Sequence, residues 1–302
     1  MPESPVRAPA RVACHAHGPP YRIVRRDAHP EWAGNRACRI VHVGGVPVGG
    51  ARAAVIAGPC AVESYEQTLA IARACRAAGA DMLRGGAHKP RTSPYDFQGL
   101  GREGLEILAA VRAETGLPVV TEALDPRHVD EVAAYADCIQ IGARNMQNFP
   151  LLREVGRAGK PVLLKRHWGA TLVEWLAAAE YVAVEGNLDI LMCERGIRSY
   201  TAGTYNRSTL DLNVVEALRR ETFFPVIVDP SHATGDAALV PSAALSGIAA
   251  GAHGLIIEVI AEETGHDEPL CDGPQSIRPT VLRDIVARTH AWGAACARTV
   301  AS

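Results

Sequence analysis

AAVIAGPCAVESYEQTLAIARACRAAGADMLR, residues 53–84, reads as one complete β/α unit. It opens on a short apolar run, Ala53–Ala57, of the kind that forms a strand buried on both faces. A longer Ala/Leu/Arg stretch near 65–78 has helical character, and Gly79 stands where a helix C-cap is expected. Asp81–Arg84 then begins the next strand. The same rhythm continues through strand candidates Pro118–Thr121, Cys138–Ile141, Pro161–Lys165, Ile190–Cys193, Pro225–Val228 and Gly254–Val259. Helix candidates lie near 102–115, 127–135, 148–157, 171–184, 211–220, 240–250 and 279–298, with Gly116, Gly159 and Gly251 repeating the role of Gly79. Eight alternating units in about 250 residues predict a single closed (β/α)8 TIM barrel. A doubly wound open sheet is the alternative, but its usual GxGxxG first turn is absent after the first strand.

Upstream, the Pro-, Ala- and Arg-rich start has no period, and residues 1–20 read as a flexible tail. RIVHVGGVPV (39–48) sets Val and Ile around a Gly-Gly pair, the signal of a small β-hairpin. The expected organisation is a flexible N-terminal extension over 1–38, a β-hairpin over 39–50 and a barrel catalytic domain over 51–302. Hydrophobic residues are 48% and charged residues 21% of the 302, the balance of a globular chain. A formal net charge of −2 and 5% aromatics argue against a nucleic-acid partner. No uncharged apolar run approaches the ~18–20 residues of a membrane span. The eight cysteines are scattered with no CxxC pair, which predicts reduced thiols and a cytoplasmic location.

In such barrels the chemistry sits at the C-terminal ends of the strands. Read only there, the sequence yields two subsets. One is basic: Arg84, Lys89, Arg91, Arg144, Lys165, Arg166 and Arg195. The other could bind a metal: Cys60, His232, Glu258 and Asp272. A near-neutral chain that gathers this many cations at one mouth is built for an anion, phosphate and carboxylate together. The mixed N/O/S donor set leaves Zn, Fe(II), Mn, Co and Cu open. Each residue also has an ordinary role: a lone Cys packs as a small apolar group, and Glu258 could pair with a neighbouring Arg. The joint occurrence at one rim is what carries the reading. The other cysteines, and histidines such as His42, His128 and His290, are read as ordinary packing or surface residues.

Nine motifs in register resemble one family. IAGPCAVES (56–64), LRGGAHKPRTSPYDFQGLGREGL (83–105), IGARNMQN (141–148), LLKR (163–166), ERGIR (194–198), STLDL (208–212), VDPSHATG (228–235), IEV (257–259) and DGPQS (272–276) are similar to 3-deoxy-D-arabino-heptulosonate-7-phosphate (DAHP) synthase, in its short type I beta form without a regulatory domain. The resemblance implies a TIM-barrel transferase that joins phosphoenolpyruvate to erythrose 4-phosphate and releases phosphate, the first step of the shikimate pathway to aromatic amino acids. It implies a divalent metal ion on Cys60, His232, Glu258 and Asp272, with Mn2+ expected first and Co2+, Fe2+ or Zn2+ as alternatives. It implies phosphoenolpyruvate contacts from Arg84, Lys89, Arg144, Lys165 and Arg195, and an aldose-phosphate site at Lys89, Pro90, Arg91 and Thr92, with Asp272 also on the substrate side. Lys89, Cys60 and His232 are the catalytic candidates, Lys89 as the proton donor to the new hydroxyl. A homo-oligomer, dimer or tetramer, is implied, as is the option of a chorismate mutase partner.

Departures from the family pattern fall near the site. His167-Trp168 follows LLKR where a Gly is usual, Ile260 replaces a His after IEV and precedes a longer loop, and Asp236-Ala237 replaces a basic pair. The segment after ERGIR is about two residues longer. These bear on the aldehyde, so phosphoenolpyruvate is the firmer substrate. Only about 50 residues precede the barrel, so little feedback inhibition by free aromatic amino acids is expected. Two alternatives stand beside the main reading: a related synthase using another phosphorylated aldose, such as arabinose 5-phosphate, and a catalytically silent barrel regulating a chorismate mutase.

Overall fold

The computed structural model describes residues 18–200, 203 and 206–300. Residues 1–17 of the expected tail, and four positions of the lengthened loop after ERGIR, lie outside the described residues. Strands β1 (Val41–Val43) and β2 (Val46–Val48) pair antiparallel as a hairpin. Its turn is Gly44-Gly45, both at positive φ (53° and 89°), which a two-residue hairpin turn requires.

Eight parallel strands then close into a barrel: β3 (Ala54–Gly58), β4 (Met82–Arg84), β5 (Val119–Glu122), β6 (Cys138–Ile141), β7 (Val162–Lys165), β8 (Ile190–Glu194), β9 (Val226–Val228) and β10 (Gly254–Glu258). Each pairs with its chain neighbour, and β10 pairs with β3 to complete the ring. Helices α1 (Tyr65–Ala78), α2 (Arg102–Thr115), α3 (Val129–Tyr135), α4 (Phe149–Arg157), α5 (Leu172–Ala183), α6 (Leu212–Glu221), α7 (Pro230–Thr234), α8 (Val240–Ala249) and α9 (Pro279–Val300) accompany them. The eight predicted strands and helices are present, each within a few residues of its expected bounds. Helix α7 is additional. No described helix is long and apolar enough to cross a membrane.

Strand periodicity explains the two cores. Ala54 and Ile56 point inward with Met82, Val120, Cys138, Leu163, Leu191, Ile227 and Ile256, whereas Val55 and Ala57 point out under the helices. Val41, Val43 and Val48 of the hairpin join the inward set, so the hairpin plugs the barrel floor. With the floor closed, the opposite mouth is the open end.

Residues 21–38 differ from the flexible extension expected there. Tyr21 and Val24 are buried. The Glu180 carboxylate accepts the backbone N–H groups of Arg22, Ile23 and Val24 at 2.8–3.0 Å. The buried Arg26 guanidinium donates to the carbonyls of Trp32, Asn35, Ala37 and Thr222. Composition hides this, because the segment is held by a few long-range polar contacts rather than by an apolar period.

Candidate active site

Strand ends and the loops behind them deliver the polar side chains to one cavity of about 570 Å3 at the C-terminal mouth. Among the residues that line it are Arg84, Lys89, Pro90, Arg91, Thr92, Arg144, Lys165, Arg195, His232 and Asp272, all named from the sequence. Cys60 and Glu258 lie beneath its wall, fully or nearly fully buried. Close backbone approach makes this possible. A Cβ on Gly58 would meet the Arg84 carbonyl oxygen at 2.1 Å, and one on Gly142 would meet Glu122 Oε1 at 2.0 Å.

Helix α7 aims His232. Asp229 caps it, its Oδ1 accepting the His232 N–H at 3.0 Å, and Pro230 occupies the first turn. Asp229 Oδ2 lies 2.9 Å from His232 Nδ1 and accepts from Lys165 Nζ at 2.6 Å. The opposite ring nitrogen, Nε2, lies 3.4 Å from Glu258 Oε1 and 3.8 Å from Asp272 Oδ2. Glu258 also accepts from Arg84 at 2.7 Å and from Gln275. Asp272 adopts φ 53°, the one positive φ outside glycine among the described residues. Strain of this kind persists where the surroundings over-determine it, as at a ligand clamp.

Lys89 joins the two subsets. Its Nζ donates to Cys60 Sγ at 2.9 Å and to the Cys60 carbonyl at 3.0 Å. Cys60 Sγ lies 3.4 Å from Asp272 Oδ2 and 3.1 Å from Cys271 Sγ. The possible donors therefore form two groups that share Asp272: His232, Glu258, Asp272 and Cys60, Cys271, Asp272. A thiol, an imidazole and two carboxylates fit a divalent ion of borderline softness. Cys271, read from sequence as an ordinary packing residue, belongs to this cluster and also accepts from Arg91 at 2.6 Å. Its position beside Asp272 was the available signal.

Burial and neighbours set the charges. Burial would raise the Asp229 carboxyl, but His232 and Lys165 outweigh it and hold the group well below the usual carboxylate range. Burial likewise opposes ionisation of Glu258 and Asp272, and His232 with the nearby cations keeps both low. Burial disfavours a charged Lys89, yet the sulfur atoms of Cys60 and Cys271 raise it. Burial, the Cys271 contact and Glu258 push the Cys60 thiol up. A metal ion bound there must displace that proton.

Not every candidate reaches the cavity. Arg166 turns behind the wall and pairs with Glu194 at 3.1 Å and Asp211 at 2.9 Å, a structural network. His167, Asp236 and Ile260, expected to reshape the aldehyde side, are not among the lining residues, whereas Trp168 is. Glu122, Gln140, Arg198 and Arg207 also line it and were given no role from sequence. Arg207 donates to Asp272 Oδ1 at 3.0 Å.

A closed (β/α)8 barrel with cations and metal-type donors around one mouth defines a class: barrel enzymes that act on phosphorylated, anionic small molecules. Within it, the sequence model of the DAHP synthetase I family matches residues 39–294, and the chain belongs to that family. A phospho-2-dehydro-3-deoxyheptonate aldolase of Thermotoga maritima is 46% identical over 270 residues, covering 88% of this chain and 76% of the relative. A 2-dehydro-3-deoxyphosphooctonate aldolase of Syntrophotalea carbinolica is 35% identical over 244 residues, covering 74% and 84%. The crystal structure of the Thermotoga maritima DAHP synthase superimposes with a TM-score of 0.85 at 43% identity, covering 93% of this chain and 79% of that one. A truncated form of the same enzyme gives 0.81 at 39% identity, covering 92% and 98%.

Proposed function

We propose that this chain is a 3-deoxy-7-phosphoheptulonate synthase, condensing phosphoenolpyruvate with erythrose 4-phosphate and releasing inorganic phosphate. The observation that carries this is Lys89, which lines the anion cavity and donates to Cys60 of the metal-type cluster. One group thus touches both halves of the reaction. Family membership and the 46% identical aldolase support the same reading.

Arg84, Arg144, Lys165 and Arg195 bind the phosphate and carboxylate of phosphoenolpyruvate, and Lys89 adds a further cation. Arg91 and Thr92 take the aldose phosphate, with Pro90 shaping the loop and Asp272 on the substrate side. Cys60, His232, Glu258 and Asp272 would hold a divalent ion, which would supply Lewis-acid polarisation of the aldehyde oxygen. C3 of phosphoenolpyruvate forms the new C–C bond to the aldehyde carbon. Lys89 gives its proton to the oxygen that becomes the new hydroxyl. Water adds at C2, and the C2–O bond breaks as phosphate leaves. Asp229 fixes the ring of His232 and the ammonium of Lys165 through a single carboxylate.

Mn2+ is the first ion to test, followed by Co2+, Fe2+ and Zn2+. A homo-oligomer and a chorismate mutase partner complete the reading. Phosphate release by EDTA-treated protein with phosphoenolpyruvate and erythrose 4-phosphate, with and without Mn2+, tests it. Metal-dependent release matched by heptulosonate is the expected result. Release with arabinose 5-phosphate instead would transfer the assignment to an octulosonate synthase, and silence across a panel of phosphorylated aldoses would favour a regulatory barrel.

A further inference from the structure

Most cavity cations that carry a buried or shared acid are easy to identify: Arg84 has Glu258, Lys165 has Asp229, Arg207 has Asp272. Arg144, Arg195 and Arg198 are different. Among the described residues none of the three has a carboxylate within 4.0 Å. Their guanidinium carbons instead surround one indole, lying 5.7, 6.0 and 5.9 Å from the Trp168 ring centroid. They come from the loops after β6 and β8, and the ring comes from the loop after β7.

Trp168 is itself held in place. Its carbonyl accepts the Arg198 N–H at 2.8 Å, which ties its loop to the next. The turn beneath it is closed by Ala170 N to His167 O at 3.0 Å and by Gly169 N to His167 Nδ1 at 3.1 Å. The His167 ring packs on the indole with centroids 4.3 Å apart. Three like charges gathered on one side of a cavity repel one another. An aromatic face attracts each of them, while guanidinium N–H groups remain to donate: Arg144 reaches Thr92 Oγ1 at 3.3 Å and Arg195 reaches Ser208 Oγ at 3.5 Å, both neutral partners.

We propose that Trp168 is a positioning residue that holds Arg144, Arg195 and Arg198 as one receptor for a phosphate dianion, with Arg198 a further cation of that receptor. The proposal rests on the function given above for the choice of substrate: the dianion is the phosphate of phosphoenolpyruvate. The receptor itself is testable with inorganic phosphate alone.

The experiment combines calorimetric titration of the whole protein with inorganic phosphate and steady-state kinetics, for wild type, Trp168→Leu, Trp168→Phe and Arg198→Gln. In Trp168→Leu the phosphate Kd and the KM for phosphoenolpyruvate rise together by about tenfold, equivalent to about 1.4 kcal/mol. The turnover number stays within about twofold, because the ring acts on binding through the arginines. Trp168→Phe keeps an aromatic face and restores both constants to within about threefold. Arg198→Gln, at an exposed position, raises the same two constants even if Trp168→Leu fails to fold. Three results would overturn the proposal: no phosphate binding by wild type, unchanged constants in Arg198→Gln and a folded Trp168→Leu, or Trp168→Phe as impaired as Trp168→Leu. A wild type that binds phosphate but turns over no phosphoenolpyruvate would count against the proposed reaction while leaving the receptor standing.

Discussion

Replacing Lys89 by Met is the sharpest test of the proposed chemistry, because the structure separates its catalytic cost from its structural cost. Lys89 is 7% exposed, and Met fills most of the same volume. Its backbone partner is not orphaned by the change: the Cys60 carbonyl still accepts from Gly86 N and Arg84 at 3.1 Å each. No buried carboxylate loses its only cation either, since Glu258 keeps Arg84. Two hydrogen bonds from the ammonium are lost, to Cys60 Sγ and to its carbonyl, but the desolvation cost of a buried charge goes with them, so the fold should lose no more than about 1–2 kcal/mol. The reaction loses a positioned proton donor, which contributes about 10²–10⁴-fold, or about 3–5 kcal/mol of barrier. The assay is phosphate release at saturating substrates, beside a thermal melt of the same sample. A drop of two to four powers of ten in turnover with a nearly unchanged melt is expected. Turnover within about threefold of wild type would refute the role of Lys89, and an unfolded variant would refute the structural accounting.

Other perturbations probe what holds the mouth open and the floor closed. Arg26→Met strands the carbonyls of Trp32, Asn35, Ala37 and Thr222, so stability to urea should fall by on the order of 3 kcal/mol and residues 18–38 should become the first site of limited proteolysis. Thr171→Ala removes the capping box of α5, in which Thr171 and Glu174 satisfy each other's N–H groups, at a cost of about 1 kcal/mol in a thermal melt. His253 is pushed down to about 4 by burial and by Arg219 and Arg26. The unfolded chain takes up that proton below about 6.5 while the folded protein refuses it until about 4, so stability falls as pH drops through this window, by roughly 3 kcal/mol in full. His253→Gln should flatten that part of the pH–stability curve, and an unchanged slope would show that other groups govern it.

The barrel was legible because its strands are buried on both faces and its helices are not, so the apolar rhythm alternates on the scale of whole elements. The hairpin was legible from Gly44-Gly45, whose left-handed conformations other residues resist. What the sequence could not show was which polar residues share a wall. Arg166 follows Lys165 directly, yet the strand sends the two side chains to opposite faces, one to the cavity and one to Glu194 behind it. Arg207 enters on an irregular loop with no period to follow, so only the folded chain places it on Asp272, and only the fold brings Cys271, next to Asp272 in the chain, against Cys60 and Arg91. Residues 21–38 were misread for the same reason, their anchors Glu180 and Thr222 lying more than 150 positions away.

Asp229 illustrates how the two subsets of the mouth depend on each other. Its carboxylate is 1% exposed and is shared between Lys165, a cavity cation, and His232, a metal-type donor. Glu258 makes the same link between Arg84 and His232, and Asp272 between Arg207 and Cys60. Breaking a buried pair such as Lys165–Asp229 or Arg84–Glu258 from one side typically costs about 3–5 kcal/mol, because the surviving charge is left uncompensated, whereas the part-exposed Arg207–Asp272 pair is worth less. Each acid therefore fixes a cation toward the cavity and a donor toward the cluster, Asp229 and Glu258 each through one shared oxygen. The anion site and the donor cluster are one electrostatic unit, so a change in occupancy of either must shift the charge balance of the other.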